Sequence, residues 1–167
     1  MSSVAMLIDR MKPLVIMKDE SEPRRFIWPE DMPEQCPPRE AHYSDGATFY
    51  RFVKRDSHDS PVTFADFVRP RDLPRKQSIP SDQLCQYSAL SIFKDVEDVA
   101  IMRSFVPGFK KKRLAAGQIM REHGMIQNTP QPAVDQASGT RHILRSHFDW
   151  WVPVDIEPHT VFGVVPV

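Results

Sequence analysis

The stretch Tyr87-Ser88-Ala89-Leu90-Ser91-Ile92-Phe93, running into Lys94-Asp95 and then Val96 to Val106, decides the fold class. Its first seven residues read as the second core strand, ending at Lys94-Asp95. Asp95 is placed as a helix N-cap, and Asp98 adds negative charge to the first turn, at the positive end of the helix dipole. Val96, Val99, Ala100 and Met102, then Phe105 or Val106, recur at three- and four-residue spacing, which predicts an amphipathic helix stopped by Pro107-Gly108.

Working outward, Thr48-Phe49-Tyr50-Arg51-Phe52-Val53 reads as an earlier buried strand, and Thr63 to Val68 as one or two helical turns. Leu114 to Met120 and Met125-Ile126 are weaker strand candidates; Phe148 to Val152 and Val161 to Val165 read as the final strands. Gln127 to Arg141 carries turn residues without periodicity and reads as a long loop. The order is strand, short helix, strand, helix, then three or four strands. It lacks regular βαβ alternation, so the expected class is α+β with a split, largely antiparallel sheet and two or three short helices.

Ahead of this domain, residues 1–45 read as a proline-rich N-terminal arm, and residues 46–167 as a single α+β domain. Sixteen prolines stand against six glycines, and five prolines fall between Ser21 and Glu40. Proline removes backbone donors and keeps its predecessor out of the helical region, so this stretch should be extended and irregular. Leu14-Val15-Ile16-Met17 is long enough for an edge strand. Phe26-Ile27-Trp28 either pins the arm to the body or offers an aromatic cluster to a protein partner.

Composition narrows the function classes. The 167 residues carry 22 basic and 22 acidic side chains, so long-range attraction to nucleic acid or an anionic membrane does not organise the molecule, although nucleic acid stays open as a secondary partner. No apolar run approaches the roughly 20 residues of a membrane span. Cys36 and Cys85, with no CxxC and no histidine at ligand spacing, make no zinc site; one disulfide is possible but not demanded. The N-terminus lacks a secretory pattern, so the expectation is a cytoplasmic chain with free thiols, Cys85 being a buried structural thiol rather than a nucleophile.

The phosphate-loop, dinucleotide-fingerprint, zinc-protease, nucleophile-elbow and EF-hand motifs are absent. Three weaker constellations remain. Lys110-Lys111-Lys112-Arg113 is either an anion- or partner-binding cluster or a solvated turn. In His147-Phe148-Asp149-Trp150-Trp151, strand alternation puts His147, Asp149 and Trp151 on one face. His147 and Asp149 could then share a substrate, or form a hydrogen-bonded pair beside core aromatics. Arg51, between Tyr50 and Phe52, must point to solvent or be held by a fixed anion, because burying it unpaired is prohibitive.

Taken together, three segments resemble the ADP-ribosyltransferase fold, the group that includes the RES-domain NAD-degrading toxins and the tRNA 2′-phosphotransferases. Phe49-Tyr50-Arg51-Phe52-Val53 resembles its early dinucleotide-touching strand. Tyr87 to Phe93 with the following helix resembles its second motif, and His147 to Pro153, with the Thr160 to Val165 strand behind it, resembles its late catalytic strand. The resemblance implies an NAD-using transferase or NAD glycohydrolase of the toxin or defence-effector kind, with NAD as substrate and no metal. By that likeness Arg51 would bind the pyrophosphate and Ser88 or Ser91 would orient the nicotinamide ribose. His147 and Asp149 would stand at the reacting carbon, and a protein partner or antidote would dock on the arm. Asp149 replaces the family's glutamate, and His147 its glutamine or glutamate, so the carboxylate is one carbon shorter. The alternative is a non-catalytic module that holds a protein or anionic partner through the arm and the Lys110–Arg113 cluster.

Overall fold

The computed structural model describes residues 25–54 and 59–166. Its main sheet has six strands: β1 (Ala47–Val53), β2 (Leu90–Phe93), β3 (Arg113–Ile119), β4 (Met125–Asn128), β7 (His147–Trp151) and β8 (Phe162–Val164). They lie in the order β4-β7-β2-β1-β3-β8, and every neighbouring pair is antiparallel. A separate hairpin joins β5 (Gln131–Val134) to β6 (Arg141–Leu144). The helices are short: α1 (Leu84–Tyr87), α2 (Val96–Phe105), α3 (Pro107–Lys110) and α4 (Pro158–Val161). This is the expected α+β class with its antiparallel sheet.

Alternation along the strands gives the sheet two faces. One buries Phe49, Val53, Leu90, Ile92, Ile126 and Trp150 in the larger core, closed by Phe67 and Phe162. The other is covered in two places. Over Phe52 and Phe93 lie α2, α3 and the β5–β6 hairpin, through Val99, Phe109, Ala133 and Leu144. Over Trp151 lie Trp28, Met32, Cys36, Ala41 and Cys85. Between these two covers the face stays open, and the candidate site lies there.

Helix α2 begins where its signals place it, with Asp95 at the N-cap, but Asp95 makes no side-chain cap bond. Asp98 does more than complement the helix dipole. Its buried carboxylate accepts from the Ser146 amide and hydroxyl, both at 2.7 Å, and so ties α2 to the turn before β7. At the other end of that strand Gly124 is required, since φ is +118° and a Cβ there would lie 2.1 Å from the Trp151 carbonyl oxygen. The close approach lets β4 leave its turn and enter register with β7.

Three expectations need correction. Tyr87-Ser88-Ala89 is not strand: α1 ends at Tyr87, Ser88 is its C-cap, and the ladder with β7 begins at Leu90. The four residues Leu84–Tyr87 close a helical turn against the preceding 3₁₀ turn Ser81–Gln83, which shortens the strand from its N-terminal side. Second, Gln127 to Arg141 is not one loop. It holds the end of β4, all of β5 and the start of β6, with residues 129–130 as a link and 135–140 as the hairpin turn. Third, the thiols are not free. Cys36 and Cys85 form a disulfide with Cα atoms 5.4 Å apart, closing a loop that contributes about 4 kcal/mol on a chain-entropy argument.

The edge-strand reading of Leu14 to Met17 lies outside the described residues. From Arg25 the proline-rich segment is irregular, as its composition predicts, yet it is secured to the domain. Besides the disulfide, Ile27 accepts from the Val154 amide, and His42 and Ile126 exchange both backbone hydrogen bonds. Phe26 packs on Trp28 and Tyr43, while Ile27 is exposed. Among the described residues no helix is long and apolar enough to cross a membrane.

Candidate functional site

The open part of the sheet face carries one polar row. Register aligns Ser91 of β2 with Asp149 of β7, and Asp149 with Gln127 of β4, so three polar side chains lie abreast on adjacent strands. Hydrophobic rows flank them: Trp151 on one side, Phe93 with His147 on the other. Ser91 and Asp149 of this row line the groove.

Two contiguous chambers make up this groove. One, of about 430 Å³, is lined by Gln83, Gln86, Tyr87, Ser91, Gln131 and Asp149, with Pro70 at its edge. The other, of about 350 Å³, holds Arg51, Lys112 and His147 among the apolar side chains Phe52, Phe93 and Phe109. Ser91, Gln131 and Pro70 line both, so the chambers meet at Ser91. Each is within the size range of small-molecule sites.

Arg51 reaches this junction through a split in the sheet. Strands β1 and β2 share a single register pair, Tyr50 with Phe93, and part beyond it. The guanidinium fills the gap: Nη1 donates to the Ser91 carbonyl at 2.7 Å and Nε to the Asp66 carbonyl at 3.0 Å, with the Phe67 ring 5.3 Å away. Burial pushes its pKa down to about 10, opposed by the nearby Asp66 carboxylate. The guanidinium's hydrogen bonds thus go to carbonyl oxygens, and its charge is met at longer range by Asp66. Its carboxylate is itself held by the Lys54 and Thr63 amides at 2.8 and 2.9 Å.

Asp149 is 3% exposed, and burial raises its pKa to about 7. His147 is 2% exposed and edge-on to Phe93. Its Nδ1 donates to the Thr129 carbonyl at 2.8 Å, which fixes the proton on that nitrogen, and burial lowers its pKa. His147 is therefore a neutral imidazole. It and Asp149 are not paired directly; His147 bonds to Thr129.

The basic run divides. Arg113 is buried and donates to the Lys54 and Ser60 carbonyls at 3.1 and 2.5 Å, so it fastens β3 to the preceding loop and belongs to no anion site. Lys110 and Lys111 are exposed and line neither chamber. Lys112 alone stands at the groove, its Nζ 4.6 Å from the Phe109 ring centroid, and burial and then Arg51 lower its pKa. Ser88 is also apart. Its hydroxyl donates to the Leu84 carbonyl at 2.7 Å and accepts from Arg71 at 2.9 Å, and it lines neither chamber, whereas Ser91 lines both.

The structure therefore brings Ser91 and Asp149 to one chamber and Arg51, Ser91, Lys112 and His147 to the other; Arg51, which alternates with Phe49 and Val53, comes from the opposite face of the sheet, and Ser88, Lys110, Lys111 and Arg113 line neither chamber. Sequence reading missed Thr129, Gln131 and Gln127, because Pro130 and Pro132 disguised their segment as loop. Among the described residues no group of three or more His, Cys, Asp or Glu side chains is placed to hold a metal ion. Compared with protein-family models, curated proteins and solved structures, the chain finds no match.

Proposed function

We propose that the groove binds NAD and cleaves its bond between nicotinamide and ribose, as an NAD glycohydrolase or an ADP-ribosyltransferase. The observation that carries this reading is the junction at Ser91, where a chamber lined by two cations meets a chamber holding a buried carboxyl group. A dinucleotide has matching parts. Its pyrophosphate suits Arg51 and Lys112, with charge-assisted hydrogen bonds in an apolar surround. Its nicotinamide riboside suits the Tyr87 and Asp149 chamber, where the Ser91 hydroxyl is available to the ribose.

The chemistry asks little covalent work of the protein. The bond from the ribose anomeric carbon to the pyridinium nitrogen breaks, its electron pair neutralises the ring, and nicotinamide leaves without needing a proton. Positive charge then builds on the sugar, and an ionised Asp149 opposes it. Water, or the nucleophilic group of an acceptor, attacks the same carbon and loses a proton to solvent. Ionised Asp149 is required, so the rate should rise as pH increases through about 7 and level off above it.

The direct test is to incubate the purified chain with NAD and measure nicotinamide release. Release that depends on Asp149 supports the reading. Binding of NAD without release would leave a non-catalytic module in its place.

Lys112 offers a finer check. Lys112→Gln should raise the KM for NAD about tenfold, the worth of one charge-assisted phosphate contact, and make binding less sensitive to salt. The double substitution of Lys110 and Lys111 by Gln should change neither KM nor melting temperature appreciably. Equal effects from both variants would return the site to the whole basic run.

A further inference from the structure

We infer that the Cys36–Cys85 disulfide is a thiol-exchange site, through which an external dithiol loosens the wall of the Asp149 chamber and weakens ligand binding. The effect on NAD rests on the proposed reading of the site; the exchange and its effect on the wall do not.

The placement of Cys85 carries the inference. It is the second residue of α1, whose Gln86 and Tyr87, with Gln83 just before the helix, line the chamber. Four residues make a single turn, too short to keep its shape without support from its neighbours. That support comes from behind the wall. Cys85 packs in one cluster with Trp28, Met32, Cys36 and Ala41 of the arm and with Trp151 of β7. Trp151 Nε1 donates to the Cys85 carbonyl at 3.0 Å, and this indole stands two residues along β7 from Asp149, on the same face. The chain has two cysteines, so the disulfide is the one covalent tie between the arm and the chamber wall.

Other contacts would keep the arm in place once that tie is cut. Asp31 holds Arg69 in a bidentate pair at 2.9 and 2.7 Å. Arg71 donates to the Asp31 carbonyl and to the hydroxyl of Ser88, the C-cap of α1, at 2.5 and 2.9 Å. Ile27 accepts from the Val154 amide, and His42 exchanges backbone bonds with Ile126. Exposed ion pairs are individually weak, so these contacts retain the arm without fixing the turn as a covalent bond does. Reduction therefore loosens the wall and leaves the fold standing.

Cys36 is 7% exposed, whereas Cys85 is half-buried, so Cys85 Sγ is the sulfur that an incoming thiolate meets. Attack forms a bond from the reductant's sulfur to Cys85 Sγ and breaks the bond to Cys36 Sγ, whose electron pair leaves as a thiolate and takes up a proton. The reductant's second thiol then attacks its own sulfur in the mixed disulfide. The reductant's disulfide closes, and Cys85 is freed as a thiolate and protonated. The protein gains two electrons and two protons, and the dithiol loses them. The chain holds no third thiol to clear the mixed disulfide, which suits a dithiol as the partner.

The experiment compares the full chain oxidised, reduced by dithiothreitol without denaturant, and reoxidised. The rate of reduction should rise in proportion to dithiothreitol, as direct attack on the native bond requires. By NMR the Tyr87 ring, the Gln86 side-chain amide and the Trp151 indole N–H should shift on reduction. The Trp150 indole N–H, which bonds to His123 on the other face, should stay where it is. The KM for NAD should rise about tenfold, the cost of ordering one or two wall side chains on binding, and return on reoxidation. The double variant Cys36→Ser, Cys85→Ser should behave like the reduced chain whatever thiol is present. A reduction rate that levels off with dithiothreitol would mean that the bond opens only after unfolding, and would overturn the inference. So would a reduced chain that loses its tertiary structure at the assay temperature, or one whose Tyr87 and Gln86 signals match the oxidised form. Absence of nicotinamide release from the oxidised chain would remove the proposed reaction, while the reduction rate and the chamber signals would still decide the exchange.

Discussion

Asp149→Asn is expected to abolish nicotinamide release while making the protein more stable at alkaline pH. The loss should be on the order of 10²–10³-fold or more, the usual cost of removing a group aimed at developing charge. The gain follows from the direction of the pKa shift. A carboxyl raised from 3.8 to about 7 holds its proton more tightly in the folded chain than in the unfolded one. Between these values the folded state binds more protons, so stability falls as pH rises from about 4 to about 7, and then stays level. The full penalty is on the order of 4 kcal/mol above pH 7. Asparagine never ionises and so avoids it. Denaturant unfolding at pH 4 and pH 8.5 reads the difference: the variant should match the native chain at pH 4 and exceed it by a few kcal/mol at pH 8.5. Equal destabilisation at both values would mean that Asp149 is a packing element with no ionisation penalty. Activity retained by a stabilised variant would remove it from the chemistry.

The second large effect belongs to the opposite face of the same strand. Trp150 is 0% exposed, packs 5.7 Å from the Phe162 ring, and donates from Nε1 to the His123 carbonyl at 2.9 Å. Trp150→Ala should cost about 3–5 kcal/mol from the cavity and lost transfer free energy, with a further cost for the stranded carbonyl. Against a typical total of roughly 5–15 kcal/mol, this brings the domain to the edge of unfolding, with a fall in melting temperature of about 10 °C or more. Trp150→Phe keeps most of the bulk and loses the hydrogen bond, so it should fall between. Indifference to the alanine change would show that the core lies elsewhere. Asp149 and Trp150 are neighbours with opposite duties, one raising the energy of the fold and the other paying for it.

Much of this was legible in the residues. Alternation in His147-Phe148-Asp149-Trp150-Trp151 assigns His147, Asp149 and Trp151 to one face, and the pairing of β7 with β2 and β4 has that arrangement. Helix α2 could be read because its periodicity and its Asp95 and Pro107-Gly108 boundaries agree. The strand reading of Arg51 posed a question, what accompanies its charge, and the answer is two backbone carbonyls with Asp66 acting at longer range, from a segment read only as helical turns.

What sequence reading lost has physical causes. Strands of four residues such as β5 and β6 are too short for alternation to register, and Pro132 within β5 reads as a breaker although an edge position tolerates it. Arg113 looked like its lysine neighbours because charge in a run says nothing about which side chain turns inward. Ser88 and Ser91 were equivalent on paper; a helical turn ending at Tyr87 separates them. The disulfide joins residues 49 apart, a closeness that only the packed face around Trp151 creates.

One measurement bears most directly on the claim that the two chambers form one ligand site. Uniformly labelled protein, titrated with NAD and followed by NMR, should show saturable shifts at the Arg51 Nε, the Ser91 amide and the Tyr87 ring, all with one dissociation constant. The Asp149 carboxyl should move with them. Shifts confined to one chamber, shifts at residues such as Lys110 and Lys111 away from the groove, or no saturable shift at millimolar NAD would contradict the account.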